Sequence, residues 1–229
     1  MRAVLLDALG TLLELEPPAP RLVAELAARG VAVTEAEADA ALRAEIAYYR
    51  AHHDEASDVA RLAGLRDRCA AVLAAALPER ARGVPDLRAA LLASLRFRPY
   101  PEVPDVLATL RAAGLRLVVV SNWDVSLHEA LATTGLVPLL DGAVSSAEAG
   151  AAKPATPVFA RALALAGAVP AALAVHVGDD AAADVAGARA AGIAPVLVLR
   201  DGGPEPDGVP VLPDLTGLPA LLTTYPQDR

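Results

Sequence analysis

The sequence predicts an α/β protein in which a parallel β-sheet is covered by helices on both faces and interrupted by a helical insertion. From residue 100 onward, apolar strand-like runs alternate with helices of about ten residues, a pattern typical of parallel sheets. The first such run, residues 3–7, is separated from the next, residues 115–120, by a segment of helical character. The chain has 229 residues, 55% of them hydrophobic, which suffices for one domain with a sizeable insertion.

The segment between the first two strands is predicted to be all helical. Prolines within residues 17–20 are expected to break the chain before the first of these helices, and Gly30 is expected to end that helix. Thr34 and Glu37 have the spacing of a capping box, which begins a long helix. Helices are predicted over 21–29, 34–51, 58–76 and 85–94.

The rest of the chain is predicted to alternate between strand and helix. Residues 115–120 are rich in β-branched side chains, and Gly114 is placed to cap the helix before them. Asp124 and Thr156 are expected to be helix N-caps. Strands are predicted over 115–120, 142–145, 174–177, 195–199 and 209–212, and helices over 104–113, 124–134, 156–166, 181–191 and 218–223.

Charge and composition exclude several classes of function. The net charge is −8 and the basic residues are scattered, so nucleic acid is not an expected partner. No apolar stretch reaches the ~20 residues of a membrane span, and the apolar run at the start is too short for a signal peptide. The single cysteine, Cys69, can form no internal disulfide and is expected to be a core thiol. A cytoplasmic protein that does not bind membranes is therefore expected.

Polar residues follow three of the predicted strands. Asp7 follows the first strand, Ser121 and Asn122 follow the second, and three aspartates within residues 179–184 follow the strand over 174–177. Ligands of parallel sheets bind outside the carboxyl ends of the strands, so these side chains are candidates for one site. Lys153, in a loop before a predicted helix, is a fourth candidate.

Asp7 is a candidate nucleophile because its carboxylate needs no deprotonation at neutral pH. The alternative is a carboxylate that only caps the following turn. Gly10 allows close backbone approach and Thr11 is expected to orient the Asp7 carboxylate, which favours the functional interpretation.

Ser121, Asn122 and Lys153 are candidates for binding an anion. The hydroxyl and free amides after the strand would hold an anionic oxygen at a helix start, although a Ser-Asn pair is also common in simple turns. Lys153 would neutralise phosphate and the nucleophile together, although most lysines are solvated surface charges.

Three carboxylates, Asp179, Asp180 and Asp184, lie within six residues after an apolar strand. Their mutual repulsion is costly unless a cation offsets it, and hard oxygen ligands suit Mg²⁺. The alternative is helix capping by Asp179 or Asp180, and both roles can coexist.

The four segments, in this order, resemble the motifs of the haloacid dehalogenase-like hydrolase superfamily. Residues 148–154, and 178–180 with Gly187 and Ala188, are similar to its third and fourth motifs. The resemblance implies a Rossmann-like core over 1–14 and 98–229, with an all-helical cap domain of the first type inserted over 15–97.

The resemblance also implies a Mg²⁺-dependent phosphatase that acts on a small phosphorylated metabolite through an aspartyl phosphate, as a monomer or homodimer. Asp7, Lys153 and Thr11 would be catalytic, and Ser121 and Asn122 would bind the phosphoryl group. The metal ligands implied are Asp7, the Leu9 carbonyl and Asp179, with Asp180 and Asp184 binding the metal or orienting its waters.

One position departs from the family pattern. Leu9 stands where the family's phosphatases commonly carry a second aspartate as general acid and base. The true dehalogenases also lack that aspartate, but they bind no metal and carry Ser and Asn where this chain has acids. A metal-independent 2-haloacid dehalogenase and a non-catalytic protein that binds a phosphate ligand or a protein partner therefore remain as alternatives.

Overall fold

The computed structural model describes residues 1–225, which form two compact units. One unit contains Met1–Glu14 and the chain from Pro99 onward, and the other is Leu15–Arg98. The chain passes between them in strands β2 (Leu13–Leu15) and β3 (Phe97–Pro99), which form a two-stranded sheet. That the inserted unit acts as a cap stays a prediction.

The first unit is built on a six-stranded parallel sheet, which confirms the predicted fold class. Its strands are β1 (Ala3–Leu6), β4 (Arg116–Ser121), β5 (Gly142–Ser145), β6 (Ala174–Gly178), β7 (Ala194–Val198) and β8 (Val211–Leu212). The strand order is β5-β4-β1-β6-β7-β8. Strand β1 is buried along its whole length between β4 and β6, as its four apolar residues predict.

Helices of this unit contact the strands of the sheet: α5 (Val103–Ala112), α6 (Leu127–Thr133), α7 (Ser146–Ala149), α8 (Thr156–Leu165) and α9 (Ala186–Ala190). The last helix, α10 (Leu218–Thr223), contacts α5. Leu5 and Val118, which are paired across β1 and β4, share a buried cluster with Val158 and Phe159 of α8. Phe159 is fully buried, so this face of the sheet holds one of the few large aromatic anchors.

The inserted unit is helical, with α1 (Pro18–Ala28), α2 (Glu35–His52), α3 (Val59–Ala76) and α4 (Leu87–Ser94). Helices α1 and α3 each contact both α2 and α4. The predicted capping box is confirmed, because the Glu37 amide donates to Thr34 Oγ1 at 3.2 Å and the Thr34 amide donates to Glu37 Oε2 at 2.8 Å. Cys69 is buried in α3, as expected of a core thiol.

Three predicted helix starts are wrong. Helix α1 begins at Pro18, because proline is tolerated in the first turn of a helix, where no amide donor is needed. Asp124 is not an N-cap: α6 begins at Leu127, and Asp124 Oδ1 accepts a hydrogen bond from the Ser126 amide at 2.6 Å. Thr156 is the first residue of α8 and not its cap.

The helix predicted over 181–191 is two elements. A π-helical turn, Ala181–Val185, precedes α9. Such turns are frequent at functional sites. Among residues 1–225, no helix combines the length and apolar character needed to cross a bilayer.

Candidate active site

The candidate site lies at the carboxyl ends of three adjacent strands. Leu6, the last residue of β1, pairs with Val119 of β4 and with Val177 of β6. Asp7 continues the pairing, because its amide donates to the Val177 carbonyl at 2.9 Å. The sheet register therefore brings Asp7 beside the end of β4 at Ser121 and the end of β6.

Asp7 is buried and held through one of its two oxygens. Ser121 Oγ donates to Asp7 Oδ1 at 3.0 Å, and Lys153 Nζ donates to the same oxygen at 2.5 Å. Burial raises the pKa of Asp7 to about 6, although the positive charge of Lys153 opposes that shift. Within the described part of the chain, Asp7 Oδ2 accepts no hydrogen bond, so this oxygen is available to attack a substrate or to bind a cation.

Lys153 lies between two buried carboxylates. Its Nζ also donates to Asp184 Oδ1 at 2.6 Å. Burial alone would lower the pKa of Lys153, but the negative charges of Asp7 and Asp184 outweigh burial and raise it. Lys153 is therefore an ammonium ion at neutral pH, as an anion-binding role requires.

Asn122 positions the backbone of Lys153. Its Nδ2 donates to the Lys153 carbonyl at 3.0 Å, and its Oδ1 accepts from the Lys153 amide at 2.7 Å. This pair of bonds fixes the loop that carries the lysine. Direct contact between Asn122 and a phosphoryl oxygen stays a prediction.

Asp184 is buried, and both of its carboxylate oxygens accept hydrogen bonds. Its Oδ1 lies 2.8 Å from His176 Nε2, and its Oδ2 accepts from the Asp180 amide at 3.0 Å. Burial would raise the pKa of Asp184, but Lys153 and His176 outweigh burial and hold it well below its usual range. A carboxylate only accepts, so His176 Nε2 carries the hydrogen of this bond.

His176 is a residue of the site that was not predicted from the sequence. It lies fully buried within β6, and its ring meets the Phe159 ring edge-on, with 5.0 Å between the centroids. The only signal in the sequence was that a polar residue stands inside an otherwise apolar strand. That position predicts a buried side chain but does not predict its hydrogen-bond partner.

Asp179 lies at the exposed edge of the site, against the loop that follows Asp7. A Cβ atom on Gly10 would lie 2.1 Å from Asp179 Oδ2 in its observed position, and the φ of 87° at Gly10 favours glycine independently of that contact. Partial desolvation, followed by the negative charge of Asp184, raises the pKa of Asp179 to about 6. Leu9, in the same loop, is 37% exposed.

Asp180 has the capping role that was one of its two predicted alternatives. Its Oδ1 accepts from the amides of Ala182 at 2.7 Å and Ala183 at 3.0 Å. That carboxylate oxygen is therefore occupied at the helix start. Binding of Asp180 to a metal or to its waters stays a prediction.

The acidic residues suit a divalent cation. Asp7, Asp179 and Asp184 each offer a carboxylate oxygen, and these three atoms lie within 4.8 Å of one another. One ammonium, that of Lys153, faces the two buried carboxylates, so the group keeps an excess of negative charge. Burial is the main cause of the raised pKa values of Asp7 and Asp179, and the neighbouring carboxylates raise them further. Oxygen ligands of this kind fit Mg²⁺.

Thr11 does not orient Asp7, so that prediction is wrong. Its side chain is fully buried, and Oγ1 has no hydrogen-bond partner in the described structure. Ser121 and Lys153 already supply the hydrogen bonds that orient Asp7.

A family model of haloacid dehalogenase-like hydrolases matches residues 1–192, and the chain belongs to this family. It is 40% identical over 124 residues to a human haloacid dehalogenase-like hydrolase domain-containing protein 3, covering 51% of this chain and 49% of that one. It is 38% identical over 140 residues to a phosphoserine phosphatase of Thermus thermophilus, covering 60% of this chain and 54% of that one. The matches thus span about half the length of these curated relatives.

Solved structures share the fold along the whole chain. A HAD phosphatase from Thermococcus onnurineus has a TM-score of 0.69 at 24% identity, and covers 100% of both chains. A 2-haloacid dehalogenase from Pseudomonas syringae also has a TM-score of 0.69, at 23% identity, and covers 99% of this chain and 100% of that one. The fold alone therefore does not separate the two activities.

Proposed function

We propose that the protein is a Mg²⁺-dependent phosphatase of a small phosphorylated metabolite, acting in the cytoplasm as a monomer or homodimer. The observation that carries the proposal is the arrangement of Asp7, which is buried, held through one oxygen, and within 4.8 Å of carboxylate oxygens of Asp179 and Asp184. This arrangement supports the proposal that a nucleophile and a cation site lie together at the carboxyl ends of the strands.

In the proposed reaction, Asp7 Oδ2 attacks phosphorus in line with the leaving group. A bond forms between Oδ2 and phosphorus, and the bond to the leaving oxygen breaks, with the electron pair going to that oxygen. Water then attacks phosphorus, the bond between Oδ2 and phosphorus breaks, and phosphate leaves with the protons of the water, which restores the Asp7 carboxylate. Lys153 and Ser121 would hold phosphoryl oxygens, and a bound Mg²⁺ would neutralise charge that develops on them.

The source of the leaving-group proton distinguishes this chain from a typical phosphatase of its family. Leu9 cannot supply a proton, and positioned general acids contribute about 10² to 10⁴ in rate. Asp124, one alternative donor, is buried and accepts from the Ser126 amide, and Asp180 caps a helix. We therefore propose slow turnover of substrates whose leaving group is a strong base.

A second candidate function is a metal-independent 2-haloacid dehalogenase, favoured by Leu9, which stands where the family's phosphatases commonly carry a second aspartate. Asp7 would then attack carbon and expel halide. The close grouping of Asp7, Asp179 and Asp184 favours the phosphatase, because a reaction without metal gives this concentration of negative charge no purpose. A binding protein without turnover is the third possibility.

The test is a comparison of phosphate release from an aryl phosphate and halide release from a 2-haloacid, each with Mg²⁺ or with chelator. We expect the wild type to release phosphate, and we expect both chelator and the Asp7→Asn substitution to abolish this release. The control is Asp105→Asn, the same chemical change at an exposed position of α5, which should leave phosphate release unchanged. Halide release in chelator would identify a dehalogenase. Mg²⁺ binding without turnover across a broad panel of phosphates would identify a binding protein.

A further inference from the structure

Arg200 connects the end of the sheet to the loop that follows the nucleophile. It lies shortly after β7, and its Nε donates to the Gly10 carbonyl at 3.0 Å while its Nη2 donates to the Thr11 carbonyl at 2.7 Å. The two bonds join positions 189 and 190 residues apart in sequence. The Arg200 guanidinium thus donates hydrogen bonds to two consecutive carbonyls of the loop that follows Asp7.

The guanidinium is itself held on two sides. Nη2 also donates to Glu102 Oε1 at 2.7 Å, in an ion pair whose side chains are each 15% exposed. The Cζ atom of Arg200 lies 3.4 Å from the centroid of the Tyr100 ring, at stacking distance. We call Arg200, Glu102 and Tyr100 the arginine clamp.

The loop that the clamp grips is compact and touches Asp179. The amides of Leu12 and Leu13 donate to the Ala8 carbonyl, and the Gly10 amide donates to the Leu13 carbonyl, each at 2.8 Å. Gly10 is packed so closely on Asp179 that no Cβ atom fits between them. A shift of Gly10 would therefore move the neighbouring Leu9 and change the room available to the Asp179 carboxylate.

We propose that Arg200 is a positioning residue of the cation site: it holds the Leu9–Thr11 loop against Asp179 and thereby sets the affinity for Mg²⁺. The inference rests on the proposed function, because that function places the cation between Asp7 and Asp179. Arg200 touches none of the three grouped carboxylates in the described structure, so its effect runs through the loop.

The experiment measures Mg²⁺ binding by calorimetry, with the metal alone and the full chain, in wild type, Arg200→Ala and Arg200→Lys. Residues that orient metal ligands typically contribute 10- to 100-fold to affinity, so we expect Arg200→Ala to weaken Mg²⁺ binding by at least about 10-fold. Lysine can reach only one carbonyl with a single point charge, so Arg200→Lys should fall between the two. The matched control is Arg189→Ala, which removes one exposed backbone contact, Nη2 to the Asp207 carbonyl at 3.1 Å, and should bind like wild type.

Amide hydrogen exchange supplies a second readout that does not depend on metal. Exchange over residues 8–13 should speed up in Arg200→Ala, while strand β4 keeps its wild-type protection, which excludes loss of folding. Unchanged Mg²⁺ affinity in Arg200→Ala would overturn the inference, whether or not the loop exchanges faster.

Failure of this inference and failure of the proposed function give different results. If wild type binds Mg²⁺ and Arg200→Ala binds it equally well, only the positioning role is lost. If affinity falls as expected but neither protein releases phosphate, the positioning role stands and the phosphatase does not. If wild type binds no Mg²⁺, both are wrong.

Discussion

The affinity for Mg²⁺ should depend steeply on pH between 7 and 5. Asp7 and Asp179 have pKa values of about 6 without metal, raised chiefly by burial. A cation binds the carboxylate form, so it must displace any proton that these groups hold. Asp184 makes no contribution in this range, because Lys153 and His176 keep its pKa well below its usual value.

The size of the effect follows from the two pKa values. A group of pKa about 6 is about nine-tenths ionised at pH 7 and about one-tenth ionised at pH 5, so each carboxylate costs about 10-fold in apparent affinity. Two such groups give at most about 100-fold, or about 2.7 kcal/mol. Asp179 is exposed, so solvent screening makes its share the smaller one.

The assay is calorimetric titration of chelator-treated protein with Mg²⁺ at pH 7, 6 and 5. Asp179→Asn should bind Mg²⁺ more weakly and keep only the dependence due to Asp7, about 10-fold, whereas Asp105→Asn should keep the full dependence. An affinity that stays within about 3-fold from pH 7 to pH 5 would refute the assignment of these carboxylates as ligands.

The same two groups predict how metal changes stability. Their raised pKa values mean that the metal-free folded state binds more protons than the unfolded state between about pH 4 and 6, so the free energy of unfolding falls as pH rises through that range. Asp184 acts in the opposite direction, because its lowered pKa stabilises the fold above 3.8 and this contribution is lost in acid. At neutral pH, Mg²⁺ at 100 times its Kd should add about 2.7 kcal/mol, a rise in Tm of about 5–11 °C.

Three substitutions give further tests. Leu9→Asp should raise kcat for an alkyl phosphate by about 100-fold, since the exposed position admits a proton donor; equal kcat in a steady-state assay would remove general acid catalysis at this position. Lys153→Met should lower the free energy of unfolding by about 3–5 kcal/mol at pH 7, because it leaves Asp7 and Asp184 without their shared counter-charge. That loss should shrink as the pH falls toward 6, because the pKa of Asp7 rises above its wild-type value of about 6 once the Lys153 charge is gone, and Asp7 then takes up a proton; a pH-independent loss in chemical denaturation would contradict this account. Gly187→Ala should cost about 1–3 kcal/mol, since its Cβ would lie 2.7 Å from Phe159; an unchanged Tm would contradict that expectation.

The sheet was predictable from sequence because each strand is a short apolar run that ends at a polar residue. Parallel pairing then brings Asp7 and Ser121 to one edge without further information. The contact between Asp184 and Lys153 could not be predicted in the same way, because it depends on how the π-helical turn after Asp180 orients the Asp184 side chain.

Contacts between distant segments explain what the sequence did not reveal. Arg200 is one of many scattered arginines, and only the folded chain shows that it reaches the carbonyls of Gly10 and Thr11. His176 and Thr11 are further examples. A polar residue among apolar neighbours in the sequence does not show which atom, if any, will form a hydrogen bond with it. The helix starts at Pro18 and Leu127 were not predicted, because proline and aspartate occur both in loop turns and in the first turn of a helix.

The pairing of β2 with β3 has a consequence for how such proteins diversify. The polypeptide leaves the sheet-bearing unit and returns to it through adjacent strands, so whatever is spliced between them begins and ends at neighbouring points. Closing a longer or shorter excursion between two such points costs little entropy, about 0.6 kcal/mol for each doubling of length. The four-helix insertion of this chain can therefore be lengthened, shortened or replaced at this junction while Asp7 and Lys153 stay where they are.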